Sequence, residues 1–210
     1  MRRRDFIGLG LAAATQAAAN IPVARAAEGT SIPYGVAVRG DALVDDYNYR
    51  TTIAALCNLV VPEGGLKWET LRPSETSFNF YEGDKLLDFA RENRMKMRGH
   101  TLVWYAAMPA WTSSIRGKSE AERQLSHHID MVVGRYEGLV PSWDVVNEAI
   151  ADAPTRSDYL RPNIWLANCG KSYIETAFRR AADSDRAAQI VINEYDIEFV
   201  GDRYKRRRRS

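Results

Sequence analysis

After residue 30 the sequence switches repeatedly between two periodicities, and that alternation limits the available folds more than any other feature. Residues 34–38 form a short strand-like run. Residues 44–57 read as a helix, and 58–62 as a β-branched strand stopped by a proline. Residues 84–93 are helical, with Leu86, Leu87 and Ala90 on one face. A strand follows at 96–103. The longest helix is expected at 119–136, where Ala121, Leu125, Ile129, Val132 and Tyr136 fall at helical spacing. Residues 142–146 predict a strand. Residues 171–182 predict a helix with Tyr173, Ala177 and Ala181 along one side, and 189–192 a last strand. Five strand–helix units in succession call for a parallel sheet, either a barrel or an open doubly wound sheet. No Gly-x-Gly-x-x-Gly and no phosphate loop follows the first strand, which argues against a nucleotide-binding version.

Charge narrows the partners. The chain has 29 basic and 27 acidic residues, but its cations are concentrated at the ends. Residues 1–26 hold four of them (Arg2, Arg3, Arg4 and Arg25) against Asp5 alone, and 205–209 hold five more. The body between keeps 20 basic and 26 acidic residues. An acidic body gives no reason to bind nucleic acid and suits a neutral polymer better. Arg3-Arg4-Asp5-Phe6-Ile7, the Ala-rich stretch to Ala19 and Ala24-Arg25-Ala26 have the order of a twin-arginine export signal with cleavage after Ala26. The expectation is a periplasmic or secreted protein whose exported form begins at Ala27, which N-terminal sequencing would check. No further stretch is apolar enough to span a membrane. Cys57 and Cys169 match no metal-ligand spacing and are expected as unpaired, buried cysteines rather than as a disulfide.

The strand ends carry the chemistry. The second is followed by Glu63, Lys67 and Trp68. The third ends among His100, Trp104 and Tyr105, the fourth at Asn147 and Glu148, and the fifth at Asn193, Glu194 and Tyr195. In a (β/α)₈ barrel the C-terminal strand ends form one active face, so these four clusters would converge. Aromatic rings beside carboxylates and amides suit sugars: rings stack on pyranose faces and polar groups take the hydroxyls. Trp143 reads as core packing, and His100 reads either as a hydrogen-bonded support or as a sugar contact.

Several segments together resemble glycoside hydrolase family 10. They are Tyr34-Gly35-Val36-Ala37, Pro62-Glu63, Leu66-Lys67-Trp68, Phe78-Asn79-Phe80, the run from Arg98 to Trp104, Pro109-Ala110-Trp111, the run from Trp143 to Ala149, and Asn193-Glu194-Tyr195. The resemblance covers roughly residues 30–200. It implies a (β/α)₈ barrel, of which about five βα units lie in this chain within 27–204, and retaining endo-hydrolysis of β-1,4-xylosidic bonds. It also implies xylan or xylo-oligosaccharide as partner, no metal or cofactor, and a monomer when complete. Glu148 would be proton donor and later general base, and Asn147 would bind the 2-hydroxyl of the sugar being cleaved. Glu63 and Lys67 would bind hydroxyls on the non-reducing side, His100 and Trp104 would line the same groove, and Asn193 and Tyr195 would lie near the acid/base and its leaving-group side.

Two positions depart from the family pattern. Gly64 stands where the family has Asn, and Tyr105 where it has His. The nucleophile implied by the resemblance belongs to a Thr-Glu-Leu-Asp-like motif on a seventh strand, and no such motif occurs in these 210 residues. The run Lys205-Arg206-Arg207-Arg208-Arg209-Ser210 is expected to be aberrant rather than a functional tail. Two rival expectations follow, a non-catalytic sugar-binding remnant and a half-barrel completed by another chain.

Overall fold

Five strands lie side by side in chain order in one parallel sheet: β1 (Gly35–Val38), β2 (Leu59–Pro62), β3 (Lys96–Val103), β4 (Ser142–Asn147) and β5 (Gln189–Asn193). This is a computed structural model, which describes residues 32–153 and 156–197; the expected export signal and basic run lie outside them. The strand order settles what periodicity left open. A doubly wound sheet reverses its order at a switch point, whereas here each strand pairs only with its chain neighbours, as in a (β/α)₈ barrel. Register shifts interrupt the β3–β4 pairing between His100 and Val103 and the β4–β5 pairing between Asp144 and Val146. Such bulges bend a sheet and re-aim the side chains beside them.

The connecting helices are α1 (Gly40–Asp45), α2 (Tyr47–Leu56), α3 (Trp68–Leu71), α4 (Tyr81–Glu92), α5 (Lys118–Arg135), α6 (Ile164–Cys169) and α7 (Ser172–Ser184). The single helix expected at 44–57 is two. Asp46 is extended at φ −112°, ends α1, and starts α2 by accepting the Tyr49 N–H at 2.9 Å on its own carboxylate. An aspartate that caps its own backbone competes with helix continuation. The sequence reading missed α3, α6 and a 3₁₀ turn at Ala110–Ser114, which are too short to show a periodicity. Asn163 caps α6 by accepting from Leu166 N at 2.8 Å.

The predicted stripe on α5 and the Tyr173, Ala177 and Ala181 stripe on α7 are both buried, and the two helices pack together. Trp143 is fully buried, as core packing requires. It lies over Gly99 on β3, where a Cβ would stand 2.1 Å from a ring carbon, so only glycine admits the indole there. Cys57 and Cys169 are free and buried. Among the described residues no helix is long and apolar enough to cross a membrane.

Candidate active site

The polar residues singled out in the sequence gather at the C-terminal ends of β2 to β5. Glu63 directly follows β2, and its N–H donates to Val38 O at 2.9 Å, which holds it at the rim. Lys67 immediately precedes α3. Its neighbour Trp68 is buried and donates from Nε1 to Leu102 O at 2.7 Å, which ties the β2 loop to the end of β3. Lys67 Nζ therefore stands 4.6 Å from the centre of the Trp104 ring. Trp104, just past β3, donates from Nε1 to Glu148 Oε2 at 3.1 Å.

Glu148 directly follows β4. Its backbone is left-handed, φ 54°, a conformation uncommon outside glycine that costs about 1–3 kcal/mol and tends to persist only where the surroundings impose it. Here its N–H donates to Asn193 O at 2.8 Å and its carbonyl accepts from Arg161 Nε at 3.0 Å. Asn193 Nδ2 in turn donates to Asn147 Oδ1 at 2.7 Å, which orients the buried Asn147. The outcome is a half-buried carboxylate with one oxygen fixed by an indole N–H and an amide pair beside it.

One ring nitrogen of His100 is tied to the fourth strand. Its Nδ1 lies 2.9 Å from Asp144 Oδ2, and Arg98 forms an ion pair with the same carboxylate. Burial alone would raise the Asp144 carboxyl, but the hydrogen bonds from His100 and Arg98 and the charge of Arg98 hold it below its ordinary value. Thr101 Oγ1 adds a bond to Asp144 O at 2.9 Å. Tyr195 sits at the edge of the group. Its hydroxyl bonds Asp152 and accepts from Arg161 at 3.1 Å.

Two features escaped sequence reasoning. Arg161, from the irregular segment between β4 and α6, donates to the carbonyls of both Glu148 and Ile150, at 3.0 Å each. It also pairs with Asp152 and lies 4.3 Å from the centre of the Tyr105 ring. Burial works against its charge, yet Asp152 and Tyr195 hold its pKa above the ordinary value. An arginine in a loop carries no signal that separates it from a solvated one. The second feature is the fully buried Arg72. It lies between Trp111, Phe78 and Trp68, with centroid distances of 4.6, 4.9 and 5.2 Å, and donates to Gln124 Oε1 at 3.0 Å. Burial lowers its pKa to about 10. Trp68 stacks on the buried His128 at 3.8 Å, so the loop that carries Lys67 rests on a block of rings. Trp68 and Trp111 lie 43 residues apart, so no local pattern marked this block in the sequence. Among the described residues no group of His, Cys, Asp or Glu is arranged to hold a metal ion.

Comparison with known proteins gives a consistent set of likenesses. The model of glycosyl hydrolase family 10 matches residues 23–208. The chain is 40% identical over 152 residues to a β-1,4-xylanase of Dictyoglomus thermophilum, covering 72% of this chain and 42% of that protein. It is 35% identical over 184 residues to endo-1,4-β-xylanase B of Thermotoga neapolitana, covering 86% and 52%. Among solved structures, xylanase 10B of Thermotoga petrophila in complex with xylobiose superposes with a TM-score of 0.84 at 34% identity, over 90% of this chain and 57% of that one. The chain thus spans about half the length of the relatives it matches.

Proposed function

The chain belongs to glycosyl hydrolase family 10, and from that premise we propose that it supplies the acid/base half of a retaining endo-β-1,4-xylanase site. The observation that carries this reading is the Glu148 carboxylate, held by Trp104 Nε1 at a strand end where Lys67, Asn147 and Asn193 also converge. Its partner would be a xylan chain lying across the strand ends. Glu63 and Lys67 would take hydroxyls, and Trp104 would offer its ring. Asn147, oriented by Asn193, would hold the 2-hydroxyl of the sugar being cleaved.

In the first step the glycosidic C–O bond breaks. Glu148 passes its proton to the departing oxygen while a second carboxylate attacks the anomeric carbon and forms a glycosyl ester. In the second step Glu148, now anionic, takes a proton from water, whose oxygen displaces that ester. Retention requires the two carboxyl groups about 5–5.5 Å apart. The 210 residues contain the first carboxyl group and no motif for the second. The chain on its own should therefore bind xylo-oligosaccharides and fail to hydrolyse them. The test is to incubate purified 210-residue protein with xylan and analyse the anomers released. Retaining hydrolysis that disappears in Glu148→Ala would overturn this division of labour.

A further inference from the structure

Glu148 is held at two separate points, and the two holders come from different loops. Trp104, just past β3, donates to its carboxylate at 3.1 Å. Arg161, from the segment between β4 and α6, donates to its main-chain carbonyl at 3.0 Å. Tyr105 meets both holders. Its ring lies 5.5 Å from the Trp104 ring, centre to centre, at 71°, and the Arg161 guanidinium lies 4.3 Å from its own centre. Lys67 Nζ in turn stands 4.6 Å from the centre of the Trp104 ring. The result is a row of cation, ring, ring and cation that joins the loops after β2, β3 and β4. Tyr105 stands where the family pattern has His, so the row is not one that the pattern implies.

The chemistry of a guanidinium explains why a ring belongs in this row. Its N–H donors all lie in one plane and point outward along the edges. In Arg161 those edges serve the Glu148 and Ile150 carbonyls, Asp152 and the Tyr195 hydroxyl. The faces of the plane carry no donor but keep their positive charge, which the electron-rich face of an aromatic ring attracts. The Arg161 side chain is only 12% exposed, so little water competes for that face. Tyr105 is itself 40% exposed, and core packing therefore does not account for an aromatic residue there.

We propose that Tyr105 is a positioning residue for Glu148, whose ring ties Trp104 to Arg161 so that the carboxylate and its backbone are fixed together. This rests on the reading of Glu148 as the acid/base. A misplacement of about 1 Å at a reacting centre can cost about a hundredfold in rate. Glu148 has particular need of a tie, because its left-handed backbone persists only where its surroundings impose it.

The experiment is hydrogen exchange, followed by NMR, on the 210-residue chain and its Tyr105→Phe and Tyr105→Ala variants. It reads the Trp104 indole N–H, the Glu148 backbone N–H that donates to Asn193 O, and, as a report on the fold, the Trp68 indole N–H that donates to Leu102 O. Tyr105→Ala should speed exchange at Trp104 and Glu148 by roughly tenfold, the opening expected from losing one cation–π contact, and leave Trp68 within about threefold. Tyr105→Phe keeps the ring and should hold both sites within about threefold of the native chain. In an Arg161→Ala background, Tyr105→Ala should have little further effect on the Glu148 N–H, because two members of one tie are not additive. Faster exchange at only one of the two sites, or at neither, would overturn the tie, and so would full additivity with Arg161→Ala. Equal acceleration at Trp68 would reduce Tyr105 to general packing, and a Phe variant as open as the Ala variant would assign the effect to the hydroxyl; either result overturns the proposal. Since exchange is read and not turnover, each of these failures leaves the acid/base reading standing, which leaving-group dependence tests separately.

Discussion

β4 and β5 are neighbours in one sheet with opposite surroundings. Every residue of β4 from Ser142 to Asn147 is buried, while none of the five residues of β5 is. β4 has a strand on each side, and Trp143 packs against Gly99 and Tyr136. β5 pairs with β4 alone among the described residues, and Ile192 is 40% exposed. Beside it runs a cavity of about 610 Å³ lined by Ile150, Leu160, Ile174, Phe178 and Ile192. Parallel strands are ordinarily covered on both faces, so this apolar surface suits burial that the described residues do not supply. The difference teaches where the site gets its precision. Glu148 and its supports hang from the fully buried strand, and β5 contributes to them chiefly through its last residue, Asn193.

The sharpest way to break that comparison is to disturb one strand at a time. Gly99→Val would drive methyls into the Trp143 ring and should cost about 3 kcal/mol or more, the upper range for an overpacked core. Ile192→Thr, on the exposed strand, should stay within about 1 kcal/mol. Urea denaturation of both variants decides it, since equal losses would mean that β5 is as tightly built as β4.

A smaller effect is expected at Arg161, whose side chain is only 12% exposed. Arg161→Ala removes the bonds to the Glu148 and Ile150 carbonyls and should cost about 1–3 kcal/mol. Arg161→Lys should recover little, because an ammonium cannot span those carbonyls and Asp152 as the planar fork does. Thermal denaturation, together with the chemical shift of the Glu148 amide, measures both. Full recovery by lysine would show that charge alone is needed.

The smallest effects are in the acid limb of stability. Burial, then the charges of Arg72 and His127, hold the His128 pKa well below 6.5. Below about pH 6.5 the unfolded chain binds a proton that the native state refuses, so stability should decline by up to about 1.4 kcal/mol per pH unit. Asp144 acts lower down. Its native pKa is depressed, so its contribution is present above about pH 4 and lost as pH falls through the native value. His128→Phe should flatten the first part of the curve and Asp144→Asn the second. An unchanged slope near pH 6 in His128→Phe would exclude His128 as its source.

Much of this was legible because strands and long helices have a period. The α5 stripe and the strand 96–103 come out where the spacing puts them, and Trp143-Asp144-Val145-Val146-Asn147-Glu148 already marked a strand ending in a carboxylate and an amide. The break at Asp46 was hidden, since a capping aspartate looks the same as a solvated one until its backbone angles are known. Arg161 and Arg72 were hidden for a related reason. Their roles come from contacts across long sequence separations, Arg72 to Gln124 and Arg161 to Glu148 and Tyr195, which no local pattern encodes. The Asp144 partner of His100, 44 residues away, was hidden in the same way.

The central claim is that Glu148 moves the proton, and leaving-group dependence tests it most directly. The measurement joins residues 27–197 to the C-terminal part of a relative such as the Thermotoga neapolitana xylanase, of which this chain covers 52%, and compares that protein with its Glu148→Ala variant. Xylan needs a proton on its departing oxygen, whereas an activated aryl xylobioside leaves as a stable phenolate. The variant should lose roughly two to four orders of magnitude on xylan, the usual size of acid/base catalysis. It should keep a much larger share of its first step on the aryl substrate. Azide, a small nucleophile that needs no base, should then accelerate aryl turnover by entering the space that the carboxylate vacated. Equal losses on both substrates with no response to azide would contradict the account and leave Glu148 as a residue that positions sugar without transferring the proton.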